Sequence, residues 1–243
     1  MLTDRRRFLG GTASLLVGGA GAVLPSGERA VTLATPFKLT PPAHGPILVA
    51  FVVSDDATVI DFAGPWEVFQ DVMVPDRDES HDEQMPFRLF TVADRSDPVR
   101  VSGGMRIVPD YSVDEAPAPR VIVVPAHRST PRLLDWIRDR SAQADITMSV
   151  CTGAFALARA GLLKGRAATT HHDFQDRLAR EFPDVEVRRG LRFVEHDRIA
   201  TSGGLTSGID LALRVVERYF GRPVAEATAV YMEYQGTGWR GPN

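Results

Sequence analysis

The sequence predicts an α/β fold, a three-layer sandwich around a mostly parallel sheet with a cysteine nucleophile elbow. Three observations carry that expectation. The runs Ile47–Val53 and Val121–Val124 are almost wholly apolar, which suits parallel strands covered on both faces. Helical patterns separate such runs, and alternation of strand and helix marks a doubly wound sheet. The stretch Asp145–Ala158 passes straight from a strand pattern into a helix pattern, with the only cysteine, Cys151, at the corner.

The chain begins with an address label. Thr3-Asp4-Arg5-Arg6-Arg7-Phe8-Leu9-Gly10 is followed by a mildly apolar run from Gly11 to Val23, with small residues at Ala20-Gly21-Ala22. A basic start, a short apolar run and an A-x-A site predict a twin-arginine signal peptide over residues 1–22. The run is broken by glycines and too short for a stable span. The expectation is export to the periplasm or beyond, with no membrane anchor after cleavage; a disordered basic tail is the competing reading. Residues 23–45, rich in Pro, Thr, Ala and Ser, read as a linker. Residues 46–243 are one domain's worth of chain.

The formal charge is -3, and no basic block follows the first few residues. No nucleic-acid partner is expected on that footing. One cysteine permits no disulfide within the chain.

Within the domain a helix is expected from Ala63 to Val74, with Pro65 tolerated in its first turn. Phe87–Ala93 reads as a strand, and Val99–Pro109 as a hairpin turning on Gly103-Gly104. A helix from Thr130 to Gln143 precedes the strand of Ile146, Met148 and Val150. Beyond the elbow helix come a short strand at Ala167–Thr170 and a helix from Asp173 to Glu181. Arg192–Glu195 and Ile199–Thr201 pair around His196-Asp197. Two helices close the domain, Ser207–Phe220 and Pro223–Tyr234, the second opened by its proline.

The elbow is where chemistry is expected. A tight strand-to-helix turn strains the backbone and lifts the side chain above the sheet edge. Free N–H groups and the positive end of the following helix are expected to lower the thiol pKa of Cys151. Against this stands the ordinary role of a lone cysteine as a small buried hydrophobe. Sites in such sheets lie at the carboxyl ends of strands, where Cys151, Pro125-Ala126-His127 and Asp55-Asp56 all fall.

Four ordered motifs carry a family resemblance. They are Asp61-Phe62-Ala63-Gly64-Pro65-Trp66-Glu67-Val68-Phe69, Ser149-Val150-Cys151-Thr152-Gly153-Ala154, Gly161 to His171, and Thr201-Ser202-Gly203-Gly204-Leu205-Thr206-Ser207-Gly208-Ile209-Asp210. From Ile47 to Tyr234 the chain resembles the ThiJ/PfpI superfamily, whose class I glutamine amidotransferase-like domain is flavodoxin-like. Asp-x-x-Gly-Pro together with Cys-Thr-Gly resembles the isonitrile hydratase branch. The same pattern resembles sensor domains of AraC-type regulators, which carry a helix-turn-helix region afterwards; the residues after Tyr234 are too few to hold one.

The resemblance implies a small electrophile as substrate, no cofactor, and a homodimer; the closing helices are expected to form part of that dimer surface. It makes Cys151 the nucleophile and Asp61 the general acid and base, with Thr152 offering its N–H and hydroxyl to the intermediate. Asp61 also reads as an N-cap just before its helix, and Glu67 is the rival carboxylate. Gly64, Ala126, His127 and His171 are carried over as substrate-binding positions. Two departures stand out: Ala126-His127 replaces a Gly-Gly pair, and His172 replaces a tryptophan.

No metal is expected. His171 and His172 on a strand would face opposite ways, and no further ligand has a suitable spacing. Gly203, Gly204 and Gly208 lack a P-loop lysine and read as close backbone packing beneath the site. His171 reads either as a triad-like partner of the thiol or as a plain hydrogen-bonded histidine. Three functions remain open: a cysteine-dependent isonitrile hydratase, other cysteine chemistry (glyoxalase, amidase or peptidase), and a ligand- or redox-sensing domain without turnover.

Overall fold

A computed structural model describes residues 38–77 and 84–240. The segment read as a signal peptide lies outside them, as does the linker up to residue 37. The strands begin where the apolar runs begin. Strand β1 spans Ile47–Val52, β2 Phe87–Ala93, and the hairpin strands β3 and β4 span Val99–Arg100 and Arg106–Ile107. Gly103 and Gly104 turn that hairpin at φ values of 72° and 85°, angles open to glycine without a Cβ penalty. Then follow β5 (Tyr111–Ser112), β6 (Val121–Val124), β7 (Ile146–Ser149), β8 (Ala167–Ala168), β9 (Glu186–Val187), β10 (Phe193–Glu195) and β11 (Ile199–Ser202). The helices are α1 (Val59–Gln70), α2 (Pro131–Ser141), α3 (Gly153–Arg159), α4 (Gln175–Glu181), α5 (Ser207–Phe220) and α6 (Arg222–Tyr231).

The main sheet has seven strands in the order β10-β11-β7-β6-β1-β2-β5. Its pairings are parallel except β10 with β11, joined antiparallel as the His196-Asp197 turn predicts. Successive strand residues alternate faces. Val49 and Phe51 of β1 meet α1 and α5, while Ala50 and Val52 face the layer of α2, α3 and α4. The chain moves from β1 to β2 on one side and returns to β6 on the other. That reversal opens a crevice at the carboxyl ends of β1 and β6, the place where such sheets bind ligands.

Helix α1 begins four residues before the expected start at Ala63. Gly64-Pro65 looks like an opening signal, yet Pro65 lies inside the helix. There it cannot donate to the Asp61 carbonyl four residues back, a defect of about 3 kcal/mol. Burial of Phe62, Val68 and Phe69 holds the helix in spite of it. Asp61 is therefore not the N-cap. Thr58 is, without a side-chain capping bond, and Asp61 points inward from the first turn, fully buried.

Packing also extends upstream of the expected domain start. Leu39 is buried and its N–H donates to the Arg218 carbonyl at 2.8 Å. The Arg120 guanidinium reaches the Thr40 carbonyl and also holds the Asp145 carboxylate, to which Tyr219 donates. Among the described residues no helix is long and apolar enough to cross a membrane.

Candidate active site

Cys151 sits two residues beyond the end of β7 at φ 57°, the left-handed region that residues with a Cβ resist. Three contacts hold it there. Its N–H donates to the Gly203 carbonyl at 2.8 Å, and its carbonyl accepts from the Thr170 hydroxyl at 2.8 Å. The third is the close start of α3. A Cβ on Gly153 would stand 2.1 Å from the Val124 carbonyl oxygen, so only glycine lets the elbow press against the end of β6.

The Thr170 bond is testable. In Thr170→Val the shape is kept, but a buried carbonyl loses its donor, so unfolding free energy should fall by about 1 kcal/mol. Urea denaturation measures it; an unchanged midpoint would mean that the hydroxyl does not brace the elbow.

The group that faces the thiol is Asp61. Its Oδ2 accepts from the Ala126 N–H at 3.1 Å, while Oδ1 is buried without a partner of hydrogen-bonding geometry. Burial pushes the Asp61 carboxyl up to about 6, against the stabilising pull of the Ala126 N–H, the Cys151 thiol and the Leu205 N–H. Burial likewise pushes the Cys151 thiol up to about 12; the Asp61 charge adds to this, and the Thr152 and Leu205 N–H groups oppose it. The expectation of a lowered thiol pKa is thus overturned. Desolvation and a buried carboxylate outweigh a helix of only seven residues. At neutral pH the pair rests as thiol and carboxylate, with the proton on sulfur.

The remaining expected residues fall around this pair in different ways. Thr152, half-buried, lends its backbone N–H to the sulfur. Ala126 is buried beside Asp61, and its N–H is taken by that carboxylate. Gly64 lies under Ile209, whose Cγ1 would be 2.9 Å from a Cβ there. His127 turns back on its own loop: Nδ1 donates to the Pro125 carbonyl at 2.8 Å, which leaves Nε2 to accept from Ser129 at 3.2 Å. Burial of the ring pushes its pKa below the usual value, in spite of the Pro125 carbonyl and with help from Arg159.

His171 makes no hydrogen bond to the thiol among the described residues. Its Nδ1 accepts from the Asp173 N–H at 3.3 Å, and its ring lies against Gly204 so closely that a Cβ there would collide with Cδ2. His171 thus wedges the Gly203–Leu205 loop against the elbow. Gly208 packs on Val150 and Pro65, in keeping with close backbone packing under the site.

His171 and His172 do not face opposite ways. Strand β8 ends at Ala168, and the two rings stack with centroids 4.3 Å apart. With Asp173 their ligand atoms gather within 4.8 Å. His171 Nδ1 already accepts from the Asp173 backbone N–H. Two clefts of about 520 and 540 Å³ are lined by neither Cys151 nor Asp61. The Cys151–Asp61 pair sits at the sheet's switch point instead.

The residue that sequence reasoning missed is Leu205. Its N–H faces both Asp61 and Cys151, and its backbone is left-handed at φ 53°. Nothing in Gly-Gly-Leu-Thr marks the leucine, rather than a glycine, as the strained residue.

A parallel sheet with a left-handed cysteine between β7 and α3, faced by a buried carboxyl from α1, defines a nucleophile-elbow protein of the class I glutamine amidotransferase-like kind. The chain belongs to the DJ-1/PfpI family, whose pattern it matches over residues 48–218. It is 31% identical over 192 residues to the isonitrile hydratase of Pseudomonas putida, covering 76% of this chain and 78% of that one. It is 28% identical over 200 residues to the HTH-type transcriptional regulator GbdR of Pseudomonas aeruginosa, covering 80% of this chain and 53% of the regulator. A ThiJ/PfpI family protein from Pseudomonas syringae superimposes with a TM-score of 0.68 at 27% identity, covering 88% of this chain and 83% of that one.

Proposed function

We propose that the protein is a cysteine-dependent hydratase that converts an isonitrile to an N-substituted formamide. The observation that carries this reading is the buried Asp61 carboxyl, raised to about 6, facing the Cys151 thiol. A carboxyl that titrates near neutrality can both take and give a proton. The likeness to a known isonitrile hydratase over three quarters of the chain supports the substrate class.

The steps follow from the pair. Asp61 takes the thiol proton as sulfur bonds to the isonitrile carbon, and returns that proton to the same carbon. The product is a thioimidate on Cys151. Water then adds to the thioimidate carbon, and its proton passes through Asp61 to the nitrogen. The carbon–sulfur bond breaks as the new hydroxyl gives its proton back to sulfur, and the formamide leaves. The Thr152 and Leu205 N–H groups stabilise charge on sulfur as it attacks and departs.

The test is formamide production from alkyl isonitriles, with intact-protein mass spectrometry to trap the thioimidate. We expect a mass gain of one isonitrile on Cys151, and neither turnover nor adduct in Cys151→Ala. An adduct without turnover would favour the sensing role suggested by the regulator relatives. Turnover that survives in Cys151→Ala would end the reading.

A further inference from the structure

Four residues other than glycine have positive φ among those described: Asp56, Cys151, Leu205 and Glu233. Two have ordinary reasons. Asp tolerates left-handed turns, and Glu233 follows the C-terminal end of α6. The other two, Cys151 and Leu205, meet at the site. Leucine has no local hydrogen bond to offset that conformation. Strain of this kind persists where the surroundings enforce it, typically at functional positions.

Glycine was available to this loop, since Gly203 and Gly204 precede the leucine directly and neither has positive φ. Both are glycines for another reason, as Gly204 is pressed by His171 and Gly203 by Ser207. The strained position instead keeps a large aliphatic side chain, and 43% of it is exposed. Ile60, the residue just before Asp61, is 37% exposed. Ile209, one helical turn after Leu205, and Ile60 both lie within 4 Å of where a Cβ on Gly64 would stand. Aliphatic side chains from α1 and from the start of α5 therefore meet at Gly64, one helical turn along α1 from Asp61.

We propose that Leu205 is a specificity-determining residue, an aliphatic wall that selects electrophiles bearing a hydrocarbon substituent. The inference rests on the hydratase reading for the identity of the electrophile, but not for the wall itself. The backbone N–H of Leu205 serves the sulfur, and its side chain, fixed by the same left-handed turn, meets the hydrocarbon group carried on the electrophile's nitrogen. Ile60 and Ile209 extend that surface along α1 and α5.

The experiment compares kcat/KM for methyl and n-butyl isonitrile in the parent chain, Leu205→Gly, Leu205→Asn and Leu205→Met. In parallel, labelling rates of Cys151 are compared for N-methylmaleimide and N-butylmaleimide, which need no turnover. We expect the parent to favour butyl over methyl about tenfold in both series. Leu205→Gly relieves the strained turn and should melt no lower than the parent, while its preference falls to within about threefold. Leu205→Asn, another residue tolerant of the turn, should lose the preference too, and Leu205→Met should keep it. A parent without preference, or one whose preference survives in both Leu205→Gly and Leu205→Asn, would overturn the assignment. Loss of isonitrile turnover with the maleimide preference intact would instead count against the hydratase reading and leave the wall standing.

Discussion

Asp61→Asn should lower kcat/KM for isonitrile hydration by roughly 10²–10⁴, the usual worth of a general acid–base group. The pH dependence should identify the cause. In the parent, kcat/KM should rise with pH through about 6, where the buried carboxyl ionises and can take the thiol proton. Above that limb the rate should stay level, because the thiol is held up to about 12 and supplies its proton throughout the neutral range. In Asp61→Asn the limb should vanish along with most of the rate.

Alkylation by iodoacetamide, which needs only the thiolate, should move the opposite way. Burial of the sulfur remains in the variant, but the repulsion from the carboxylate is gone, so the labelling profile should shift to lower pH. A variant that turns over within a few-fold of the parent would remove Asp61 from the mechanism. One that is inactive and also labels more slowly would mean that the carboxyl activates sulfur without shuttling protons.

The contrast shows what a sequence carries and what it leaves to folding. Strands β1 and β6 are legible because both faces are covered and the apolar runs are nearly unbroken, whereas the edge strand β5, Tyr111–Ser112, escapes the sequence reading because two residues, one of them exposed, make no apolar run. Helix α5 is legible to the residue, Ser207–Phe220, since Gly221 ends it and small residues open it. The start of α1 is not, because Gly64-Pro65 imitates an opening while burial of Asp61 and Phe62 overrides local propensity. The expected strand at Ala167–Thr170 stops at Ala168 for a similar reason. The Thr169 N–H goes to the Thr201 hydroxyl and the Thr170 hydroxyl to the Cys151 carbonyl, so the chain leaves the ladder to brace the elbow. His171 and His172 then stack instead of alternating. The thiol pKa is not legible in the sequence for the most general reason. A helix start is a local feature, whereas desolvation and the facing carboxyl come from segments ninety residues apart in the chain.

Asp61→Asn should also gain stability relative to the parent as pH rises from acid to neutral, and the sign follows from the raised pKa. The carboxyl ionises near 3.8 when exposed and near 6 in the folded protein. Between those values the folded state holds a proton that the unfolded state releases, so stability falls as pH rises through the window. The penalty is absent below about 3.8, complete above about 6, and corresponds to about 3 kcal/mol. Asparagine does not titrate and escapes it. Its amide must still fit among N–H donors from Ala126 and Leu205, which adds an offset that does not vary with pH. The quantity to read is therefore the difference between variant and parent, by urea unfolding at pH 3.5 and at pH 7.5. That difference should move in favour of the variant by up to about 3 kcal/mol between the two conditions. Other carboxylates titrate alike in both proteins and cancel. Equal differences at the two pH values would mean that the carboxyl is not held against its charge, and the proton shuttle built on it would lose its physical basis. The expected outcome is a protein that gives up stability at its working pH to keep an ionisable group beside its nucleophile.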